Sequence, residues 1–166
     1  MPLVTEPNRQ LPERSQWGRC LLLCDGAAVQ RTAKALADRY VVAHHQRPQE
    51  GLTMLQMREP NRGEAFLLGE LPTASAAVSL RDSNGNTIYG GVVLMHHDQD
   101  FAVAAAIIDA VVAAAWTGAE DAAQLITEGW QRLCHEDAIR GALLTRTTVD
   151  FALLEAADDD EEDDDA

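Results

Sequence analysis

The segment Phe101 to Trp116 constrains this chain most. Fifteen of its sixteen residues are apolar and the exception is Asp109. A bilayer crossing takes about 20 such residues, so the segment is too short to span and no membrane partner is expected. A helix that is apolar all round must instead be enclosed by a protein core. Asp98 stands just before it, where a carboxylate can accept from the free amides of the first turn, and Gly118 closes it. Asp109 is the awkward residue. A buried carboxylate has to be paired or hydrogen-bonded, so it implies a specific neighbour in the fold or on a partner subunit. Catalysis by this lone acid is the least expected reading.

The remaining chain must supply the enclosure. With 166 residues it is long enough to bury a core without staples. Aromatics make up only 5%, so Ala, Leu and Val must build that core. Glu13–Cys24 and Ala27–Asp38 read as helices separated near Asp25-Gly26. Tyr40–His45 reads as extended, Gln46–Glu50 as a polar loop around Pro48, and Leu52–Arg58 as a strand. Ala65–Gly69 and Thr73–Leu80 read as two further strands. Ser83-Asn84-Gly85-Asn86 is the clearest local signal, because Asn-Gly tolerates the positive φ of a hairpin turn. The return strand is Thr87–Met95, where Gly90-Gly91 suggest a bulge or a close approach by another backbone. Glu120–Gly141 reads as a helix with a weak point at Gly129, and Thr147–Leu154 as a last strand. The order predicts an α+β fold: an antiparallel sheet with N-terminal helices and the alanine-rich helix packed against it.

Charge is unevenly spread. The net charge is −14, and the run Asp158–Asp165 holds eight consecutive acids, so removing those eight leaves −6. Such a block stays solvated. The expected division is a flexible lead at 1–12, one α+β domain at 13–155 and a disordered acidic tail at 156–166. Net acidity argues against nucleic acid, because phosphate binding needs clustered Lys and Arg. The polar start of the chain carries no apolar signal core, so a cytoplasmic protein with free thiols is expected. Cys20 and Cys24 lie four apart on one helix face without further ligands at metal spacing, and read as small buried hydrophobes.

No phosphate loop, nucleophile elbow or zinc signature is present. What remains is His96-His97-Asp98, at the junction of strand and alanine-rich helix. It reads as an ordinary capped junction, as a contact for a small anion or a partner, or as a metal site. Adjacent histidines on an extended segment point opposite ways, which disfavours a shared ligand. His44-His45 lacks a helix start beside it and reads as structural or surface.

Taken together, the residues resemble the PhnG subunit family of the bacterial carbon–phosphorus lyase system. The matching positions are Arg14-x-x-Trp17, Gly51-Leu52 with Gln56 and Arg58, Gly63-Glu64-x-Phe66, Gly69-Glu70, Ala76-Ala77-Val78-x-Leu80, Ala106-Ile107-Ile108-Asp109-Ala110 and Val149-Asp150-Phe151. The resemblance spans roughly Arg14 to Phe151, and rests on order and spacing. It implies a subunit acting with PhnH-, PhnI-, PhnJ- and PhnL-like partners in a hetero-oligomer. That complex would transfer the ribose triphosphate of ATP to a phosphonate with loss of adenine. ATP is then the complex's co-substrate, and the iron–sulfur cluster and S-adenosylmethionine belong to a partner. No cofactor is expected on this chain, and catalytic residues are expected on partner chains. Where relatives carry arginines, this chain has Ala74-Ser75 and His96-His97, so a bidentate grip on a triphosphate is not expected of it. The site expectations are His96, His97 and Asp98 for binding, and Gly90, Gly91 and Asp109 at a tight packing contact or subunit interface. The alternatives are a small phosphate- or metal-binding enzyme using His96, His97 and Asp98, or an interaction module acting through the acidic tail.

Overall fold

The computed structural model describes residues 11–146. Its elements are α1 (Arg14–Leu22), α2 (Gly26–Ala37), β1 (Val41–Arg58), β2 (Ala65–Arg81), β3 (Thr87–Leu94), α3 (Gln99–Ala113) and α4 (Ala119–Arg146). The strands form one antiparallel sheet in the order β1-β2-β3. This is the α+β fold expected. The chain divides into two compact units, Met1–Leu133 and Cys134–Ala166. In the second, the described residues are helical from Cys134 to Arg146. Among the described residues no helix is long and apolar enough to cross a membrane. The expected strand Thr147–Leu154 and the acidic tail lie outside the described residues.

Local chemistry accounts for the helix starts. The Asp25 carboxylate accepts from the amides of Ala27 and Ala28 and opens α2. Asp98 does the same for α3 through Asp100 and Phe101. Each satisfies donors that have no partner inside the helix. Helix α3 then runs through the core with eleven buried residues out of fifteen, so its near-total apolarity is used. It packs on β2, β3, α1 and α2. The inner face of the sheet meets it through Ala74, Ala76, Val78, Leu80 and Leu94.

Three expectations about the strands and α4 are corrected. Gln46–Glu50 is not a loop: β1 runs through it, and irregular pairing between His44 and Gln49 absorbs Pro48. Ala65–Gly69 and Thr73–Leu80 are one strand. Pro72 is tolerated inside it because β3 pairs only from Ala74 onward, which leaves β2 a free side there. Gly129 is no weak point. An added Cβ would lie 2.1 Å from the Cys20 carbonyl oxygen, so this glycine lets α4 close against α1.

Candidate functional site

Strand β3 ends at Leu94 and the chain bends before α3 begins. The Asp98 carboxylate accepts from Asp100 N–H at 2.8 Å and Phe101 N–H at 3.1 Å. The Ala102 amide donates to the Asp98 carbonyl at 3.2 Å, and Gln99 N–H points to Glu50 Oε2 at 3.4 Å. All four donors of the first turn are therefore engaged. Three carboxylates, those of Glu50, Asp98 and Asp100, gather at a helix end that would otherwise attract an anion. His96 Nδ1 accepts from the Asp98 amide at 3.2 Å, which leaves the ring proton of a neutral imidazole on Nε2. Its ring packs on Phe101 and stacks on His97, both with centroids 4.9 Å apart. The two histidines do not point opposite ways, because the segment bends instead of continuing as a strand. Among the described residues no cluster of His, Cys, Asp and Glu could hold a metal ion.

Asp109 has two partners. Arg14 of α1 grips it with both arms of the guanidinium, Nε to Oδ1 at 2.8 Å and Nη2 to Oδ2 at 2.6 Å. The Gly91 amide donates to Oδ2 at 3.2 Å. The carboxylate is 5% exposed, so the fork and the amide replace the water it has lost. The hydrogen bond to Asp109 holds the Arg14 guanidinium above its ordinary pKa, against a smaller opposing effect of burial. One carboxylate thus ties α1, α3 and β3 together. It also occupies a backbone donor on the open edge of the sheet, where an unpaired amide would otherwise invite another strand. Sequence reasoning found Asp109 and its need for a neighbour. It did not find Arg14, which lies 95 residues away and carries no local sign of the pairing.

The two glycines differ. Gly90 lies under α3, and an added Cβ would meet the Ala106 carbonyl oxygen at 2.2 Å and Ala110 at 2.7 Å. Pairing of β2 with β3 is continuous across both glycines, so Gly90 serves close approach and no bulge is present. Gly91 faces outward, and its added Cβ would meet nothing nearer than the Ala76 carbonyl oxygen at 3.4 Å.

Gly91 lies on the outer face of the sheet, which no other described element of the first unit covers. This face presents Ala43, Ala77, Tyr89 and Val93, with Tyr89 61% and Val93 78% exposed. His45 lies against Tyr89, the ring centroids 5.1 Å apart. Beyond Ala74, β1 and β2 continue alone as a two-stranded arm to a turn at Glu59–Gly63. Its outer side carries Thr53, Thr73, Leu71, Met57 and Phe66, with the two threonine hydroxyls 2.8 Å apart. Its inner side carries Leu52, Met54, Leu67 and Leu68, all more than half exposed.

Cys24 is shielded by contrast. Cys24 Sγ donates to the Leu125 and Cys20 carbonyl oxygens, and burial pushes its pKa up. That disfavours the reactive thiolate.

The family model described as phosphonate metabolism protein PhnG matches residues 12–155. No curated protein matches the chain.

Proposed function

From the premise that this chain belongs to the PhnG family of phosphonate metabolism proteins, we propose that it is an assembly subunit of a carbon–phosphorus lyase complex. In this reading it works with PhnH-, PhnI-, PhnJ- and PhnL-like subunits. The complex joins a phosphonate to the ribose carbon of ATP, releases adenine and leaves a ribose phosphonate triphosphate. ATP is a co-substrate of the assembly, and an iron–sulfur cluster with S-adenosylmethionine serves a later bond-breaking step on a partner. Catalytic groups sit mainly on the other chains.

One observation carries this reading: the large uncovered apolar surface of the outer sheet face and the arm. A two-stranded ribbon with apolar residues on both sides is marginal alone in water, and patches of this kind mark contacts with other proteins. The His96–Asp98 junction supports the reading from the other side, since its amides are already engaged by carboxylates.

The test is adenine release from ATP and methylphosphonate. The isolated subunit is expected to release none. The PhnH-, PhnI- and PhnL-like proteins are expected to release adenine only when this chain is added. Turnover by this chain alone, or full turnover by the others without it, would overturn the proposal.

A further inference from the structure

The outer face of the sheet carries Ser75, Ser79, Thr73 and Thr87 among its apolar residues, but it is unusually poor in charge. An antiparallel sheet covered on one side normally turns polar residues toward water on the other. Here, between Arg81 at one end and the turn of the arm, the outer positions carry no carboxylate. Small residues, Ala43, Ala77 and Gly91, floor the centre. Bulkier ones, Tyr89 and Val93, flank Gly91 on β3, and Phe66 lies far along the arm near its turn. Depletion of charge at the middle of an apolar patch is the compositional mark of an interface core.

We infer that this face, together with the outer side of the arm, is the docking surface for one different protein subunit. That subunit presents an uncharged apolar surface bordered by carboxylates. The inference rests on the assembly reading above and names the surface that reading needs.

The area is sufficient. Three strands about 14 Å wide and 26 Å long, plus a two-stranded arm of similar length, give roughly 600 Å² in projection by strand geometry. Allowing for side-chain relief, that approaches the ~800 Å² that each partner contributes to a standard specific interface. Charge decides the occupant. The cations bordering this face are Arg81 and Arg47, and Arg47 lines the hollow beside Ser75, Ala77, Gly91 and Val93. If two copies met face to face, whatever opposed Arg47 would come from this same face, which has no carboxylate to offer. Two chains of net charge −14 would also repel at long range. A different partner with acids at its border meets neither obstacle and gains orientation from them.

The test uses the full chain, alone and co-expressed with the PhnH-, PhnI-, PhnJ- and PhnL-like subunits. Alone, light scattering is expected to give the mass of a monomer. A stable dimer lost on Ala77→Asp would assign the face to a second copy and overturn the inference. In the co-expressed set, Ala77→Asp and Val93→Glu each bury a charge without a partner and are expected to weaken co-elution by ~100-fold or more. Arg47→Glu is expected to weaken it by about tenfold. Gln30→Glu, exposed on α2, is expected to co-elute as the unaltered chain does. Circular dichroism checks that each variant folds. If the unaltered chain forms no complex, the assembly reading fails and the inference falls with it. If the unaltered chain and the folded Ala77→Asp and Val93→Glu variants co-elute alike, the surface is wrong while the assembly reading stands.

Discussion

The strands β1 and β2 form one hairpin with two fates. Near its base, Ala74, Ala76, Val78 and Leu80 are buried beneath the helices. Toward its tip, Leu52, Met54, Leu67 and Leu68 continue the same side of the same ribbon and are more than half exposed. The residue types barely differ. What changes is the layer above. Helix α3 begins beside Glu50, whose carboxylate its first amide faces, and beyond that point no other described element of the first unit lies over the sheet. Apolar character therefore marks which positions seek burial, while the helix layer decides which of them find it within this chain.

The comparison breaks most sharply at the glycines. Gly90→Ala forces a methyl against the α3 backbone at 2.2 Å. It is expected to cost about 4 kcal/mol or to prevent folding, since a helix backbone cannot give way as a flexible side chain can. Gly91→Ala, one residue on and facing outward, is expected to cost about 1 kcal/mol or less. Denaturant unfolding of both variants measures the gap, and similar losses would refute the two-sided account of β3.

A smaller but cleaner contrast comes from the hairpin itself. Leu80→Ala at the base should cost ~3 kcal/mol from lost burial and the cavity it leaves. Leu68→Ala on the arm should stay within ~0.5 kcal/mol in the isolated chain. Equal costs would mean that the arm already packs against something without a partner.

Next in size is the clamp on the open edge. Losing a fully buried ion pair costs about 3–5 kcal/mol, but the Arg14 side chain is half exposed, so water screens much of that. Arg14→Ala is then expected to cost ~1–2 kcal/mol, with faster hydrogen exchange at the Gly91 amide. Unchanged exchange there would show that the Asp109 carboxylate holds β3 without help from Arg14.

The smallest effect is at the β2–β3 turn. The Asp82 carboxylate is held below its ordinary range, first by the Asn86 side chain and then by backbone amides of the turn. A depressed pKa stabilises the fold above the unfolded value and loses that contribution as pH falls through the folded one. Asp82→Ala should therefore lower the melting temperature slightly at pH 7, and the gap should close below about pH 4. A gap independent of pH would contradict this account.

Much of the fold was legible in the chain. Asp98 announced the start of α3, Asp25-Gly26 the break between α1 and α2, and Asn84-Gly85 the turn, with Gly85 at φ +89°. These signals are local, because a cap or a tight turn is made by residues a few positions apart. The continuity of β1 through Pro48 and of β2 through Pro72 was not legible. It depends on which strand edge has a neighbour, and that is set by pairing across the sheet. The alignment of Gly129 with Cys20 is of the same kind.

The alanine-rich segment Phe101 to Trp116 carries Asp109 as its one charge. Its sequence alone determined that the helix is buried, because sixteen residues with one charge have no other stable place in water. It also determined that Asp109 needs a partner, because desolvating a carboxylate costs too much without one. Only the tertiary structure decided that the partner is Arg14, aided by the Gly91 amide. Only it decided that the helix layer stops at the base of the hairpin and leaves the outer sheet face uncovered. Apolar composition marks the positions that seek burial, but the neighbours that bury them, far apart in the chain, are chosen by packing.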